Sequence, residues 1–326
     1  MQTVGSGQSL LPLARLLAGG SAAAASMLAA TLGCSAEVLR SSIDALRALG
    51  VDVVEKDGML RLAAPLDLLD AGRLRSLCQA QSGLHVEVLD ECDSTNAQLT
   101  ARPDALSGTA LACEHQSAGR GRRGRAWTSG LGGSLTFSLL WRFAAAPAAL
   151  SGLPLAVAVI AATELERQGY SGIALKWPND LLHDGRKLGG ILIETTRPAR
   201  QGETACIIGM GLNVRLAAGL ASTIGRPVTD LAGLMKGSPP PERTTLLAGL
   251  LCALAAQLPL YQAQGLGAFR DEWLRRHAHQ GRHVMLMLED KLMLEGEAQG
   301  IAEDGALLVR SVRGLERVVS GEVSLR

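Results

Sequence analysis

The chain has 326 residues, which is enough for two or three domains with a substantial buried core. Lysine and arginine total 32 and aspartate and glutamate 31, so net charge favours neither a nucleic-acid nor a membrane partner, and any basic site must be local. The six cysteines are scattered without a CxxC pair, which argues against a disulfide framework and predicts reduced thiols in a cytoplasmic protein.

Two uncharged stretches, 16–36 and 143–163, are long enough to cross a membrane. Glycine, serine and threonine dilute the first, while Pro147, Gly152 and Pro154 interrupt the second. We therefore interpret both as core helices of a soluble protein without a membrane partner.

The first zone, residues 1–65, has the element order of a winged helix-turn-helix. Ser35 is placed to cap the third helix, and Lys56-Asp57-Gly58 is a strong hairpin turn. The spacing of apolar and turn residues predicts helices at 10–17, 22–31 and from 36 onwards, followed by strands at 51–55 and 59–62.

Three further zones follow the first. Residues 66–83 are predicted to form a linker helix. Residues 84–276 mix strands and helices irregularly, which predicts an α+β domain with a mixed sheet. Short strands separated by Asp and Gly turns predict a small β-barrel-like domain at 277–326.

Metal-ligating side chains are grouped only weakly. His277, His279 and His283 lie close together, but no cysteine or carboxylate stands at a zinc-like spacing from them. We interpret them as a surface group, and ligand spacing gives no metal site in the protein.

The strongest local signal is EHQSAGRGRRGRAW at residues 114–127, in which glycines separate four arginines. The glycines match G-x-G-x-x-G, but no acid follows before residue 164 and the next segment is predicted to be a strand, which argues against dinucleotide binding. Such a loop can bind phosphate or carboxylate oxygens in bidentate fashion, with Trp127 stacking on a base. A solvated basic loop or a nucleic-acid patch is the alternative.

Six motifs in chain order resemble those of bacterial biotin–protein ligases, and the resemblance runs from end to end. They are DSTN (93–96), the loop at 114–127, KWPND (176–180), KLGGIL (187–192), GMGLN (209–213) and GEVSLR (321–326). The N-terminal helices further resemble the bifunctional subgroup that also represses biotin synthesis genes. The resemblance implies a catalytic domain of the class II aminoacyl-tRNA synthetase and biotin synthetase type and a C-terminal SH3-like β-barrel.

The resemblance also implies roles for individual residues. Biotin contacts are expected at Ser94, Thr95, Asn96, Gln116, Gly119, Arg120, Gly121, Arg122 and Lys187. Nucleotide contacts are expected at Arg122, Arg123, Arg125, Trp127, Asn179, Asn213 and Arg326. Lys187, Asp180 and Arg122 are the expected catalytic residues, and Ser35, Arg40 and Arg47 the expected DNA contacts.

The implied chemistry joins two anions. The carboxylate of biotin attacks the α-phosphate of ATP, so Lys187, the arginine loop and Mg²⁺ are expected to stabilise the growing negative charge. Asp180 is expected to orient the incoming acceptor lysine or to receive its proton, unless its role is structural. The implied partners are the biotin carboxyl carrier protein of acetyl-CoA carboxylase, operator DNA and a second copy of the chain when adenylate is bound.

Rival interpretations remain open at this point. Residues 1–65 carry five basic and five acidic side chains, with Glu37 and Asp44 on the candidate recognition helix, and this balance suits DNA poorly. The chain could therefore be a ligase whose operator contacts are weak or lost. It could instead be a regulator that senses biotinyl-adenylate and transfers little, or an enzyme of the lipoate–protein ligase type.

Overall fold

The computed structural model describes residues 10–196, 202–235, 242–288 and 291–325. Its N-terminal part packs three helices around the buried side chains of Leu46 and Leu60 and closes them with a small antiparallel sheet, β1-β3-β2. The elements of this part are α1 (Leu11–Leu17), β1 (Ala23–Ala24), α2 (Ala25–Leu32), α3 (Ala36–Ala48), β2 (Val53–Lys56) and β3 (Met59–Leu62).

Local signals fix most of these boundaries. Ser35 caps α3 by accepting a hydrogen bond from the Val38 amide at 3.3 Å, as its position predicts. Asp57 and Gly58 both have positive φ, which is the geometry that a two-residue hairpin turn requires. The second helix begins later than expected, because residues 23–24 instead pair with β3.

A buried ion pair fastens the connecting segment to the centre of the molecule. Arg243 is fully buried and lies 2.8 Å from Glu114. The same guanidinium donates to the Asp67 carbonyl at 2.6 Å, and Glu114 accepts a hydrogen bond from the Leu69 amide. The helix that follows is α4 (Ala71–Ser82), which Asp70 caps.

The central part is built on a seven-stranded sheet of order β4-β5-β6-β10-β9-β8-β7. The β4–β5 pair is parallel and the others are antiparallel, so the predicted mixed sheet is confirmed. Its elements are β4 (His85–Cys92), α5 (Thr95–Thr100), β5 (Thr109–Gln116), β6 (Ser134–Phe143), α6 (Leu153–Arg167), β7 (Ala174–Lys176), β8 (Asp180–His183), β9 (Arg186–Thr196), β10 (Thr204–Asn213), α7 (Ala218–Thr223), α8 (Leu231–Leu234), α9 (Arg243–Gln264) and α10 (Gly267–Arg275).

Two long apolar helical stretches, Pro147–Arg167 and Arg243–Gln264, meet the length and hydropathy criteria for a membrane span. Within the most apolar window of each, 67% and 50% of the residues are buried inside the protein. The α9 helix packs against both α6 and α4, and all three helices contribute to one large hydrophobic core with the sheet. Core helices of this kind satisfy the same criteria.

The C-terminal part is a five-stranded antiparallel sheet of order β14-β13-β12-β11-β15. The indole of Trp177 donates to the Gly305 carbonyl at 2.9 Å, and Ser151 donates to the Asp304 carbonyl at 2.8 Å. These contacts fix the small sheet against the central one. Its strands are β11 (His283–Leu288), β12 (Lys291–Ile301), β13 (Leu307–Ser311), β14 (Gly314–Val318) and β15 (Glu322–Leu325).

The interpretation of the three histidines as a surface group is wrong for two of them. His277 and His279 are only 8% and 5% exposed. Their segment passes between the two sheets, where the Ala278 amide donates to the Leu175 carbonyl at 2.9 Å. Burial lowers the pKa of both imidazoles, and that of His279 falls to about 4. Within the described ranges, His, Cys, Asp and Glu side chains form no group of three that could hold a metal ion.

Candidate active site

An open cleft of about 930 Å³, including its mouth, lies between the central sheet and the C-terminal sheet. Arg122 and Lys187, which are far apart in sequence, both line it, as does Trp127. Its lining combines apolar and aromatic side chains with a few polar and charged groups, as is typical of small-molecule sites. The cleft therefore brings the arginines of the loop and Lys187 to one site, as the phosphate-binding hypothesis from the sequence requires.

Short polar side chains at the start of α5 form a buried hydrogen-bonded floor at one end of the cleft. The Thr95 amide donates to Gln116 Oε1 at 2.8 Å, and Ser138 Oγ lies 2.7 Å from Thr95 Oγ1 and 2.6 Å from Asn96 Oδ1. Ser94 begins the helix but makes no side-chain capping bond, so its hydroxyl is not committed to the helix end. This floor offers polar groups to a small uncharged ring system.

The segment 119–127, called here the Gly-Arg loop, closes on itself beside that floor. The Trp127 amide donates to the Gly119 carbonyl at 2.8 Å, and Arg120 forms a bridge with Ala126. A side chain at position 119 would not fit, because a Cβ there would lie 2.5 Å from the Trp127 carbonyl oxygen. At the tip Arg123 has φ of 57°, an uncommon conformation for a residue with a side chain.

The indole of Trp127 packs on β10 at Gly211, where the strand has no side chain. A Cβ on Gly211 would lie only 2.3 Å from Trp127 Cε2, so the ring uses the space that the glycine leaves. The ammonium of Lys187 lies over the same ring, 5.9 Å from its centroid, which is within cation–π range. Trp127 thus presents a flat surface next to a positive charge.

Lys187 is paired with an acid inside the cleft. Its Nζ lies 2.5 Å from Asp180 Oδ1, and the two side chains are 16% and 17% exposed. Gly190 leaves room for this pair, since a Cβ there would approach Lys187 Nζ to 3.1 Å. The lysine is therefore a partly desolvated cation that an incoming anion could compete for.

Arg122 reaches the same region from the Gly-Arg loop. Its Nη1 lies 3.5 Å from Asn179 Oδ1, and Asn179 in turn donates to the Ile191 carbonyl at 2.7 Å. Burial, with the nearby charge of Arg123, lowers the pKa of the Arg122 guanidinium below its ordinary value. A guanidinium remains charged at neutral pH even so, and a desolvated one interacts strongly with phosphate.

The C-terminal sheet holds the outer side of the loop. Arg125 forms a bidentate ion pair with Glu322, and this pairing lowers the pKa of the Glu322 carboxyl. Arg123 contacts Ser320 Oγ at 3.4 Å and the Met287 carbonyl at 3.5 Å. Charged hydrogen bonds thus tie the Gly-Arg loop to a separate sheet.

Sequence reasoning missed several residues of this site. Ser138 and Glu194 bind the floor from β6 and β9, and their proximity depends on the register of the strands on either side of β10. Lys176, Arg226 and Glu322 also line the cleft. Burial lowers the pKa of Lys176. The available signals were the places of Lys176 inside the KWPND motif and of Glu322 inside the terminal GEVSLR motif.

Asn213 and the expected DNA contacts do not line the cleft. Asn213 is buried, and its amide donates to the carbonyls of Thr229 and Lys187 at 3.0 and 3.4 Å. Ser35, Arg40 and Arg47 lie on or beside α3, in the N-terminal part. Arg326 lies outside the described residues.

Comparison with known families and proteins agrees with this arrangement. Residues 92–213 match the biotin/lipoate A/B protein ligase family, and residues 279–326 match the biotin protein ligase C-terminal domain. Over 321 residues the chain is 37% identical to the bifunctional ligase/repressor BirA of Salmonella typhimurium, and 97% of each protein is covered.

Two further similarities extend this picture. The chain is 33% identical over 241 residues to the biotin–[acetyl-CoA-carboxylase] ligase of Paracoccus denitrificans, with 72% of this chain and 98% of that protein covered. It is similar to the solved structure of the biotin protein ligase from Aquifex aeolicus in complex with biotin and ATP, with a TM-score of 0.64 and 28% identity, over 74% of this chain and 98% of that one.

Proposed function

This chain belongs to the biotin–protein ligase family, and from that premise we propose how its cleft carries out the reaction. The chain is an ATP-dependent ligase that activates biotin as biotinyl-5′-adenylate and transfers it to a lysine of an acceptor protein. The main support for assigning roles to individual residues is that Arg122 and Lys187 line the same cleft, with the Trp127 ring beside the lysine.

The floor at the start of α5 is the biotin subsite. Ser94, Thr95 and Gln116 offer hydroxyl and amide groups to the ureido ring, while Asn96 orients the floor. Gly119, Arg120 and Gly121 place the Gly-Arg loop beside it, so the loop can exclude water once the ligand is bound.

The nucleotide lies toward the C-terminal sheet. Trp127 stacks on the adenine, and the arginines of the loop, Arg122, Arg123 and Arg125, contact phosphate oxygens. Asn179 positions Arg122, and Asn213 acts indirectly by holding the backbone of Lys187. Arg326 is proposed as a further nucleotide contact from the terminal motif alone.

Formation of the adenylate follows from charge. A biotin carboxylate oxygen bonds to the α-phosphorus while the bond to the β-phosphate bridging oxygen breaks, and pyrophosphate leaves. Lys187 exchanges its partner Asp180 for the phosphoryl oxygens, and Arg122 approaches from the loop. Mg²⁺ bound with ATP would be held by phosphate oxygens and water, and would add positive charge at the reacting phosphorus.

Transfer requires a neutral amine. The acceptor lysine attacks the acyl carbon of the adenylate, AMP leaves and the amine loses a proton. Asp180, once released by Lys187, is placed to orient that amine or accept the proton. We propose the biotin carboxyl carrier protein of acetyl-CoA carboxylase as the acceptor.

The proposed organisation has four parts within a cytoplasmic protein. They are a winged helix-turn-helix (1–65), a linker helix (66–83), the ligase domain (84–276) and an SH3-like domain (277–326). A homodimer is proposed for the adenylate-bound form.

Biotin-responsive repression is the second proposed function, and the three helices followed by a hairpin support it. Two of the expected DNA contacts are already engaged within the protein. Arg47 lies 3.1 Å from Asp44 and also donates to the Val53 carbonyl at 3.0 Å, and Ser35 caps α3. Arg40 is exposed and remains a candidate DNA contact. Because few phosphates would be neutralised, DNA binding should weaken little with added salt. Because the proposed repression responds to biotin, DNA binding should also require biotin and ATP.

Incubation with ATP, Mg²⁺, biotin and a carrier-protein domain tests the ligase. We expect the acceptor to gain the mass of one biotinyl group, with pyrophosphate released in equal amount. The Lys187→Ala variant should fold normally and release pyrophosphate at least about a hundredfold more slowly, because a preorganised cation at the phosphoryl centre is lost. Pyrophosphate release by that variant at the wild-type rate contradicts the assignment, and labelling by lipoate instead of biotin would favour the lipoate-ligase alternative.

A further inference from the structure

Glu194 lies where the buried floor of the biotin subsite meets the Gly-Arg loop. One of its oxygens, Oε2, accepts a hydrogen bond from Asn96 Nδ2 at 2.7 Å and another from Arg120 Nη2 at 3.1 Å. The side chains of Arg120 and Glu194 are 46% and 32% exposed, so water screens their attraction only in part. A single carboxylate oxygen thus bridges the floor and the Gly-Arg loop.

On the inner side, Glu194 completes the hydrogen bonding of Asn96. In the Asn96 side chain, Oδ1 accepts a hydrogen bond from Ser138 Oγ at 2.6 Å. Its Nδ2 donates to the Leu192 backbone carbonyl at 3.3 Å and to Glu194. Each polar atom of this amide therefore has a protein partner, and its orientation is fixed. Because Ser138 Oγ also lies 2.7 Å from Thr95 Oγ1, the fixed amide holds the floor in one arrangement.

On the outer side, Glu194 acts on both arms of the loop. The loop has two arms, one that begins at Gly119 and one that ends at Trp127. Arg120 pairs through its backbone with Ala126, so restraining the Arg120 side chain also restrains the arm that ends at Trp127. The adjacent Gly119 carbonyl accepts a hydrogen bond from the Trp127 amide at 2.8 Å, so the two arms of the loop are joined at a second point.

Resting on the proposed function, we infer that Glu194 is a positioning residue that couples the biotin subsite to closure of the Gly-Arg loop. It contacts no reacting atom. It holds the Arg120 end of the loop against the floor that biotin occupies, so loss of its charge loosens the loop and weakens biotin binding together.

This role differs from that of an ordinary surface ion pair. An isolated exposed pair contributes little, and its removal leaves substrate binding unchanged. Glu316 in the C-terminal sheet is a matched example outside the cleft. It is 29% exposed, pairs with Arg313 at 2.8 Å and accepts a hydrogen bond from Ser311 Oγ, and it supplies the control variant Glu316→Gln.

The first experiment measures the loop without any ligand. Trypsin cuts after arginine, so cleavage within residues 120–125 can be followed by mass in the full-length protein. We expect Glu194→Gln to be cleaved there about three- to tenfold faster than the wild type, whereas Glu316→Gln is cleaved at the wild-type rate. This measurement does not depend on the ligase assignment, and a loop cleaved equally in Glu194→Gln and the wild type overturns the inference.

The second experiment measures coupling to biotin. Glu194→Gln should raise the KM for biotin about tenfold, with the KM for ATP little changed. In an Arg120→Gln background, the Glu194→Gln change should add nothing, because the partner charge is already gone. Full additivity of the two changes, or an unaltered KM for biotin, overturns the inference. Arg120→Gln changes a half-exposed side chain, and so tests the same contact should Glu194→Gln fail to fold.

Discussion

The space beneath Trp127 allows a sharp test of the proposed nucleotide site. In Gly211→Ala the new methyl group would lie 2.3 Å from Cε2 of the indole, whereas ordinary contacts begin near 3.4 Å. The ring must therefore move by at least about 1 Å away from the strand. Stacking of a base on an aromatic ring contributes about 1–3 kcal/mol, so its loss should raise the KM for ATP by a factor of roughly 5 to 150.

Initial rates of pyrophosphate release at varied ATP and biotin would measure this effect. Gly219→Ala is the matched control, because a Cβ at Gly219 meets nothing within 4 Å. The double variant Gly211→Ala/Trp127→Ala should behave like Trp127→Ala alone, since the clash disappears with the ring. A normal KM for ATP in Gly211→Ala would refute the stacking role of Trp127, and a double variant weaker than Trp127→Ala would mean that the glycine acts through another contact.

Three further predictions follow from the same cleft and its surroundings. Arg122→Gly should weaken retention of the adenylate, so that bystander lysines become biotinylated; labelling confined to the acceptor would contradict this. Asp180→Asn should slow single-turnover transfer from preformed adenylate about ten- to a hundredfold more than it slows adenylate formation, whereas equal slowing would assign Asp180 a structural role. Burial, followed by the nearby charge of Lys176, lowers the pKa of His279 to about 4 in the folded protein. Between about pH 4 and 6.5 the unfolded chain therefore binds more protons than the folded one, so the free energy of unfolding falls as pH drops through that window. In denaturant titrations His279→Gln should reduce this fall by up to ~3 kcal/mol. If the variant and the wild type lose stability equally, His279 is not a buried neutral imidazole.

The sequence predicted the parts of the fold whose signals are local. Ser35 capped its helix, and the Asp57-Gly58 turn formed its hairpin where expected, because capping and turn geometry depend on a few neighbouring residues. The positions of β4 and β8 in the central sheet were not predicted from the sequence. Their placement depends on pairing with distant partners, which no local pattern records.

Sequence alone thus determined the chemical inventory: a glycine-spaced run of arginines, a tryptophan, a lysine before a buried strand and the short polar side chains at 93–96. Only the tertiary structure decided which of these groups meet. Strand register brought Ser138 and Glu194 to Asn96, and packing of the C-terminal sheet against the central one buried His279 and brought Glu322 to Arg125. Hydrogen bonds and ion pairs act over a few ångströms, so residues remote in sequence acquire these partners only when the sheets assemble.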